Sequence, residues 1–182
     1  RSSSPDVAPA TVPVTLTVGP NCGSGPSLFV NGDLEGSAAP WVLGGQAGYT
    51  NTGLYPFNGA GYVFLGQVVS TTGTFYQEVA LPQDATDVAL CFALNVSTAE
   101  SGTITPFDIL YVEARDSAGG LLTDLASFSN LHKNPAGVYV WRGPLRLIGY
   151  QGQTVRLQFR AVNDSSFTTT FRLDGLQLKR WP

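Results

Sequence analysis

The stretch Leu28-Phe29-Val30-Asn31-Gly32-Asp33-Leu34-Glu35-Gly36 joins a short apolar run to an Asn-Gly turn and two carboxylates. The apolar run predicts a strand, and Asn-Gly is a strong turn signal. Near the other end of the chain, Phe171-Arg172-Leu173-Asp174-Gly175-Leu176-Gln177-Leu178 predicts a second strand that carries one carboxylate. We expect these two strands to lie side by side, so that Asp33 or Glu35 approaches Asp174 and closes an all-β domain.

The composition is typical of a turn-rich β protein. The 182 residues suit one domain and include 21 Gly and 12 Pro, whereas only 13% are charged. The net charge of −3 and the scattered Lys and Arg residues argue against a nucleic-acid partner. No apolar run is long enough for a membrane span. The chain has no Met and starts at Arg1, which favours a processed, secreted protein.

Residues 1–20 form a predicted N-terminal extension, and residues 21–182 a single domain. Within the extension, residues 11–18 alternate strictly, and the apolar face consists of Val12, Val14, Leu16 and Val18. Pro13 cannot donate a ladder hydrogen bond, so the strand is expected at a sheet edge. Two interpretations stay open: the strand packs on its own domain, or it completes the sheet of a neighbouring copy.

Strands dominate the rest of the chain. Residues 44–61 are rich in Gly, Asn and Tyr and predict a long ordered loop. Eight strands are then predicted at 61–67, 74–81, 86–96, 106–115, 121–128, 138–147, 154–162 and 168–179. This number of antiparallel strands predicts a β-sandwich, most simply a jelly roll. Cys22 and Cys91 are the only cysteines, and both a disulfide and two buried thiols remain open.

Several motifs resemble a known family. Asn31-Gly32-Asp33-Leu34-Glu35 is followed by Trp41, and the further motifs are 75–82, 107–112, 150–159 and Phe171-Arg172-Leu173-Asp174. Together they resemble bacterial secreted jelly-roll modules, including carbohydrate-binding modules of the xylan- and glucan-binding type with a galactose-binding-like β-sandwich. The resemblance covers roughly residues 28–180.

The resemblance implies a structural calcium ion. In such modules the opening acidic residue and the closing Asp hold Ca²⁺, so Glu35 and Asp174 become the expected ligands, with Asp33 as a further candidate. Ca²⁺ takes six to eight oxygen ligands, which two carboxylates begin to supply. The alternative is that Asp33 caps the Asn-Gly turn and Glu35 is solvated.

The sequence contains no group of residues suited to catalysis. His132 is the only histidine and has no nucleophile motif around it, and a metallohydrolase needs several ligands. A glycosidase needs two carboxylates across a cleft. Asp108 and Glu113 lie an odd number apart on one strand and therefore point to opposite faces. We expect a protein that is not an enzyme.

The strand patterns do predict a binding surface. Tyr111 and Glu113 point outward from one strand, and Arg156, Gln158 and Arg160 point outward from another. An aromatic ring beside hydrogen-bonding groups is what a sugar ring needs. The candidate ligand-binding residues are Tyr76, Tyr111, Glu113, Trp141, Gln158 and Arg160. The alternative is a solvated surface whose side chains pair across strands.

Two functional hypotheses follow, and both place the protein outside the cell or on its surface. In the first, the chain is a structural or adhesive subunit that assembles with copies of itself into a filament or matrix, by donating the strand Val12 to Val18. In the second, it is a carbohydrate-binding module of a secreted bacterial enzyme, which binds a polysaccharide on the concave sheet face.

Overall fold

The computed structural model describes residues 21–181. The predicted strand at residues 11–18 lies outside them. The strands are β1 Val42–Gly45, β2 Ala47–Thr50, β3 Tyr62–Gly66, β4 Thr72–Ala80, β5 Asp87–Thr98, β6 Ile109–Arg115, β7 Leu121–Ser129, β8 Val140–Ile148, β9 Thr154–Val162 and β10 Thr169–Arg180. A short 3-10 helix spans Asn130–His132. The residues described here form no helix that could cross a membrane.

The strands form two antiparallel sheets of five strands each. The first sheet has the order β1-β4-β9-β6-β7, and the second has the order β2-β3-β10-β5-β8. All eight strands predicted after residue 61 are present, with ends that differ by at most three residues. The predicted all-β sandwich is therefore confirmed.

Two details of the sequence prediction are wrong. The predicted loop at 44–61 begins with the end of β1 and with all of β2, so the true loop covers residues 51–61. The run Leu28–Val30 is not a strand, although it does lie beside β10, because the Leu28 N–H donates to the Leu178 carbonyl at 2.7 Å. Asn31 and Leu34 have φ values of 53° and 57°, and this left-handed backbone prevents a continuous ladder.

An aromatic stack connects the opening segment to both sheets. The Trp41 ring centre lies 4.7 Å from that of Phe29 and 4.4 Å from that of Phe75. Phe75 continues the stack to Phe159 at 6.0 Å, and Phe159 contacts Phe92 of the second sheet at 5.0 Å. All five rings are buried, so the stack is a large part of the apolar core.

Cys22 and Cys91 form a disulfide with a Cα–Cα distance of 5.8 Å. This settles the alternative that the sequence left open. Both residues are buried, at 4% and 0% exposure. The bond ties the start of the described chain to β5, an inner strand of the second sheet.

Two carboxylates, Glu35 and Asp174, hold the loop at residues 51–61; we call this pair the clasp. Glu35 accepts the N–H groups of Ala60 and Gly61 at 3.0 and 3.1 Å. Asp174 accepts those of Phe57 and Asn58 at 2.9 and 3.1 Å, and its other oxygen accepts the Gly175 N–H at 2.6 Å. The clasp thereby fixes a segment that would otherwise be expected to move.

The Asp174 carboxyl is fully buried, and this burial determines how it titrates. Burial raises the pKa of Asp174 to about 6, against the lowering effect of the N–H groups of Asn58, Gly175 and Phe57, and the charge of Glu35 raises it further. Protonated Asp174 is thus favoured in the folded protein more than in the unfolded chain, whose Asp pKa is 3.8.

We predict that the free energy of unfolding contributed by Asp174 falls as the pH rises from about 4 to 7, by about 2–3 kcal/mol. Because folding raises the pKa of Asp174, the stabilisation from its protonated form is complete below the unfolded-chain pKa of 3.8. It is lost as the pH rises through the folded-state pKa of about 6. Urea unfolding at several pH values measures this, with Asp174→Asn as the comparison because it cannot titrate. Parallel pH curves for the two proteins contradict the prediction.

The same experiment tests the calcium prediction. Calcium bound at the clasp would hold Asp174 ionised, so added Ca²⁺ would stabilise the wild type most near neutral pH and flatten its pH curve. Asp174→Asn would not respond. If added Ca²⁺ and a chelator leave both curves unchanged, the clasp does not bind calcium.

We also predict that replacing both cysteines with Ala lowers the free energy of unfolding by about 2–4 kcal/mol, because the bond closes a long loop in the unfolded chain. The two cysteines are 69 residues apart. Unfolding with and without a reducing agent gives the control, since the reductant must destabilise the wild type and leave the variant unchanged.

Candidate functional site

The outer face of the first sheet brings together five of the six predicted ligand-binding residues. Strands β4, β9 and β6 lie next to each other, so Tyr76 is opposite Gln158, and Gln158 is opposite Glu113. Two residues further along β9, Arg160 is opposite Tyr111. The alternation pattern predicted this correctly, because Val155, Leu157 and Phe159 between these positions are fully buried in the core.

Each tyrosine on this face lies against an arginine. The guanidinium carbon of Arg160 is 4.3 Å from the ring centre of Tyr111, and that of Arg156 is 4.1 Å from the ring centre of Tyr76. Arg156 was not among the sequence candidates, although the alternation along its strand had placed it on the outward face with Gln158 and Arg160. We call Tyr76, Tyr111, Arg156 and Arg160 the Tyr–Arg face.

Glu113 organises one half of this face from below. Its side chain is only 1% exposed and accepts hydrogen bonds from Arg115 Nε at 2.8 Å and Arg160 Nε at 3.0 Å. Burial raises the pKa of Glu113, but the hydrogen bonds from Arg115 and Arg160 outweigh this and hold the pKa below its ordinary value. The carboxylate therefore stays charged and fixes the Arg160 guanidinium against Tyr111.

Gln158 and Glu113 support the face rather than form its surface. Gln158 is 6% exposed and its Nε2 donates to Glu113 at 3.3 Å. On the other half, Glu78 accepts from Arg156 at 2.8 Å. The two tyrosine rings and the two guanidinium groups stay half-buried at the surface, and the Glu78 carboxylate beside Arg156 is exposed.

Each tyrosine also borders a shallow groove. Tyr111 lines one of about 270 Å³ with Asp124, Leu125 and Ser127. Tyr76 lines another of about 360 Å³ with Val30, Pro40, Val42 and Glu78. Two strand spacings and a two-residue offset along the strand place the Cα atoms of the two tyrosines about 12 Å apart. A ligand that contacts both rings must therefore be longer than one sugar ring.

Trp141, the sixth predicted residue, does not join this face. It lies on β8 in the second sheet and lines a different groove of about 450 Å³, which we call the tryptophan groove. The loop aromatic Phe57 lies beside Trp141, with ring centres 5.2 Å apart. The other side chains that line this groove include those of Ser27, Asp33, Asn58, Gln177 and Lys179.

The predicted calcium ligands are divided between two places. Glu35 and Asp174 form the clasp, whereas Asp33 lines the tryptophan groove. Among residues 21–181 no three His, Cys, Asp or Glu side chains are grouped so that they could hold a metal ion. The clasp oxygens already accept five backbone N–H groups, which does not fit the many-oxygen shell that calcium takes. Calcium binding stays a prediction.

The polar groups considered for catalysis have structural partners. His132 Nδ1 accepts the Ser129 N–H at 3.0 Å and caps the 3-10 helix. Asp108 is fully buried and accepts from the Thr169 hydroxyl and the Asp164 N–H. Its carboxyl therefore stabilises the packing of β10 against the loop after β9.

Asn95-Val96-Ser97 and Asn163-Asp164-Ser165 match the N-glycosylation triplet, but neither asparagine is accessible in the folded protein. Asn95 is fully buried, and its amide donates to the carbonyls of Pro135 and Val138 at 2.9 and 2.8 Å. Asn163 is 3% exposed and donates to the Thr169 carbonyl. Both amides serve as internal hydrogen-bonding groups.

Comparison of the sequence with protein-family models gives no match, and no curated protein matches it either. Solved structures do match. A family 61 carbohydrate-binding module, solved with β-1,4-galactotriose, is 16% identical with a TM-score of 0.56, over 86% of this chain and 99% of that one. A family 16 carbohydrate-binding module is 15% identical with a TM-score of 0.51, over 83% and 98%.

A third match is the xylan-binding family 22 module of a Paenibacillus barcinonensis protein. It is 14% identical with a TM-score of 0.50, and the match covers 86% of this chain and 95% of that one. At these identities the likeness concerns the fold alone. The chain thus has the two-sheet β-sandwich fold that these carbohydrate-binding modules share.

Proposed function

We propose that this chain is a non-catalytic module that binds a polysaccharide on its Tyr–Arg face. The observation that carries the proposal is the pairing of two tyrosine rings with two guanidinium groups across three adjacent strands. An aromatic ring offers a surface for the C–H groups of a sugar, and a guanidinium group donates to neighbouring hydroxyls in a fixed geometry.

The fixed position of these groups supports the proposal further. Tyr111 has only two side-chain torsions, and Arg160 is held by both Glu113 and the Tyr111 ring. Little conformational entropy is then lost when a ligand binds, because the donors are ordered beforehand. The 12 Å between the tyrosines suits a chain of sugars better than a single sugar.

The alternative of self-assembly by strand donation has less support. The structures that match this fold are mostly carbohydrate-binding modules, including one solved with a bound oligosaccharide. The proposed donor strand lies outside the described residues. We therefore propose that the partner is a polysaccharide. We also propose that the chain belongs to a secreted protein, which would meet such polymers outside the cell.

The first test is Tyr111→Ala, which removes the ring and the surface on which Arg160 rests. We expect binding to galactan, xylan or β-glucan to weaken about tenfold, which corresponds to about 1.4 kcal/mol. Affinity gel electrophoresis with each polysaccharide measures this. Tyr111→Phe keeps the ring and should bind nearly as well, and Ile104→Ala, at an 86% exposed site on another part of the surface, is the control. Failure of the wild type to bind any of the three polymers refutes the proposal for these glycans.

Glu113→Gln tests whether Glu113 positions Arg160. We expect a loss of about 3 kcal/mol in unfolding free energy, since Arg115 and Arg160 lose a buried partner, together with weaker polysaccharide binding. The pH profile separates positioning from general loss of structure. Because the pKa of Glu113 lies below its ordinary value, wild-type binding should persist at mildly acidic pH and fall only when Glu113 is protonated. Polysaccharide binding by Glu113→Gln should show no such fall at acidic pH. If the wild type and the variant have the same dependence of binding on pH, Glu113 does not position Arg160.

A further inference from the structure

The tryptophan groove is well formed but has no part in the function proposed above. Its volume of about 450 Å³ exceeds that of the grooves beside Tyr76 and Tyr111. It lies on the second sheet, whereas the Tyr–Arg face lies on the first. One ligand molecule cannot easily reach both, because the whole core separates them.

Two aromatic rings form a corner in this groove. Phe57 and Trp141 are nearly perpendicular, with an angle of 82° between their planes. Gly175 lies below them: a Cβ there would be 3.3 Å from Trp141 and 3.4 Å from Phe57. Its φ of 59° also favours glycine. The bare backbone at this position lets both rings pack directly against it.

The clasp orders one wall of the groove in advance. Asp174 binds the N–H groups of Phe57 and Asn58, which are adjacent in sequence and both line the groove. At the other side of the loop, the Tyr139 hydroxyl donates to the Tyr55 carbonyl at 2.7 Å. Burying a carboxylate is unfavourable unless it is well hydrogen-bonded. Here its hydrogen bonds hold the two loop residues that a ligand would meet.

The polar side chains of the groove suit an uncharged ligand. Asp33, Asn58, Gln177 and Lys179 provide one anion, one cation and two amides. The hydrogen bonds and ion pairs between residues 21–181 leave all four of these side chains without a partner. Donors and acceptors are therefore both present without a net charge, which matches hydroxyl groups better than it matches a phosphate or a carboxylate.

We infer that the tryptophan groove is a second glycan site, which binds one or two residues of a neutral polysaccharide against Trp141 and Phe57. The inference rests on the proposed function for the choice of ligand, but it concerns separate residues. With sites on opposite sheets, one module bridges two polysaccharide chains or binds a surface of many chains with higher avidity.

The test is isothermal titration calorimetry of the full chain, with xylohexaose, cellohexaose and β-1,4-galactotriose as probes. We expect two binding events for one of these probes, of which Trp141→Ala removes one and Tyr111→Ala the other. Each remaining event should keep its affinity within about twofold, since distant sites act independently. Leu54→Ala is the matched control, because Leu54 is an 83% exposed residue of the same loop and does not line the groove.

Each outcome decides between the two sites. One event, lost in Tyr111→Ala and unchanged in Trp141→Ala, overturns the second site and keeps the Tyr–Arg face. One event, lost in Trp141→Ala and kept in Tyr111→Ala, supports the groove and refutes the Tyr–Arg face. Absence of heat with all three probes overturns both. If Trp141→Ala fails to fold, Phe57→Ala carries the same test, because Phe57 is 39% exposed and outside the core.

Discussion

The buried carboxylate of Asp174 links the sheets to the longest loop between consecutive strands, residues 51–61. Residues 51–61 contain no helix or strand, and no backbone–backbone hydrogen bond joins two residues of this loop. Asp174 and Glu35 supply these partners from β10 and from the opening segment. A carboxylate accepts several N–H groups at once, so these two side chains hold four N–H groups in the second half of the loop. The same contacts determine where Phe57 and Asn58 lie.

The two outer surfaces of the sandwich differ in how their charges are used. On the first sheet, the guanidinium groups of Arg156 and Arg160 are already engaged with Glu78 and Glu113, and they offer only their remaining donors. In the tryptophan groove, Asp33 is exposed and Lys179 is half-buried, and neither side chain has an ion-pair partner among residues 21–181. The first surface extends over three adjacent strands, which suits a polymer, whereas the second is a single groove, which suits one or two sugar rings.

Much of the first surface followed from local pattern. Because side chains alternate along a strand, burial of Leu157 and Phe159 requires Arg156, Gln158 and Arg160 to point outward. The sequence therefore predicted which residues face solvent on β6 and β9. It did not predict that Glu113 and Gln158 would be buried beneath the arginines, because the depth of an outward residue depends on the length and direction of its neighbours across the sheet. Nor did it predict that Trp141 and Tyr111 lie on different sheets, since alternation along a strand does not show which sheet the strand joins.

By itself, the sequence determined that the chain is an all-β sandwich, where eight of its strands run and which strand faces are apolar, because these follow from the period of two and from Gly-, Pro- and Asn-rich turns. It also marked the stretch from Leu28 to Gly36 as the partner of the Asp174 segment. Only the tertiary structure decided what that partnership does: positive φ at Asn31 and Leu34 keeps the stretch out of the sheet, and its Glu35 joins Asp174 in holding the loop. The physical reason is that these hydrogen bonds join residues far apart in the sequence: Glu35 and Ala60 are separated by 25 positions, and Phe57 and Asp174 by 117. Such contacts depend on strand order and register, which no local sequence pattern contains.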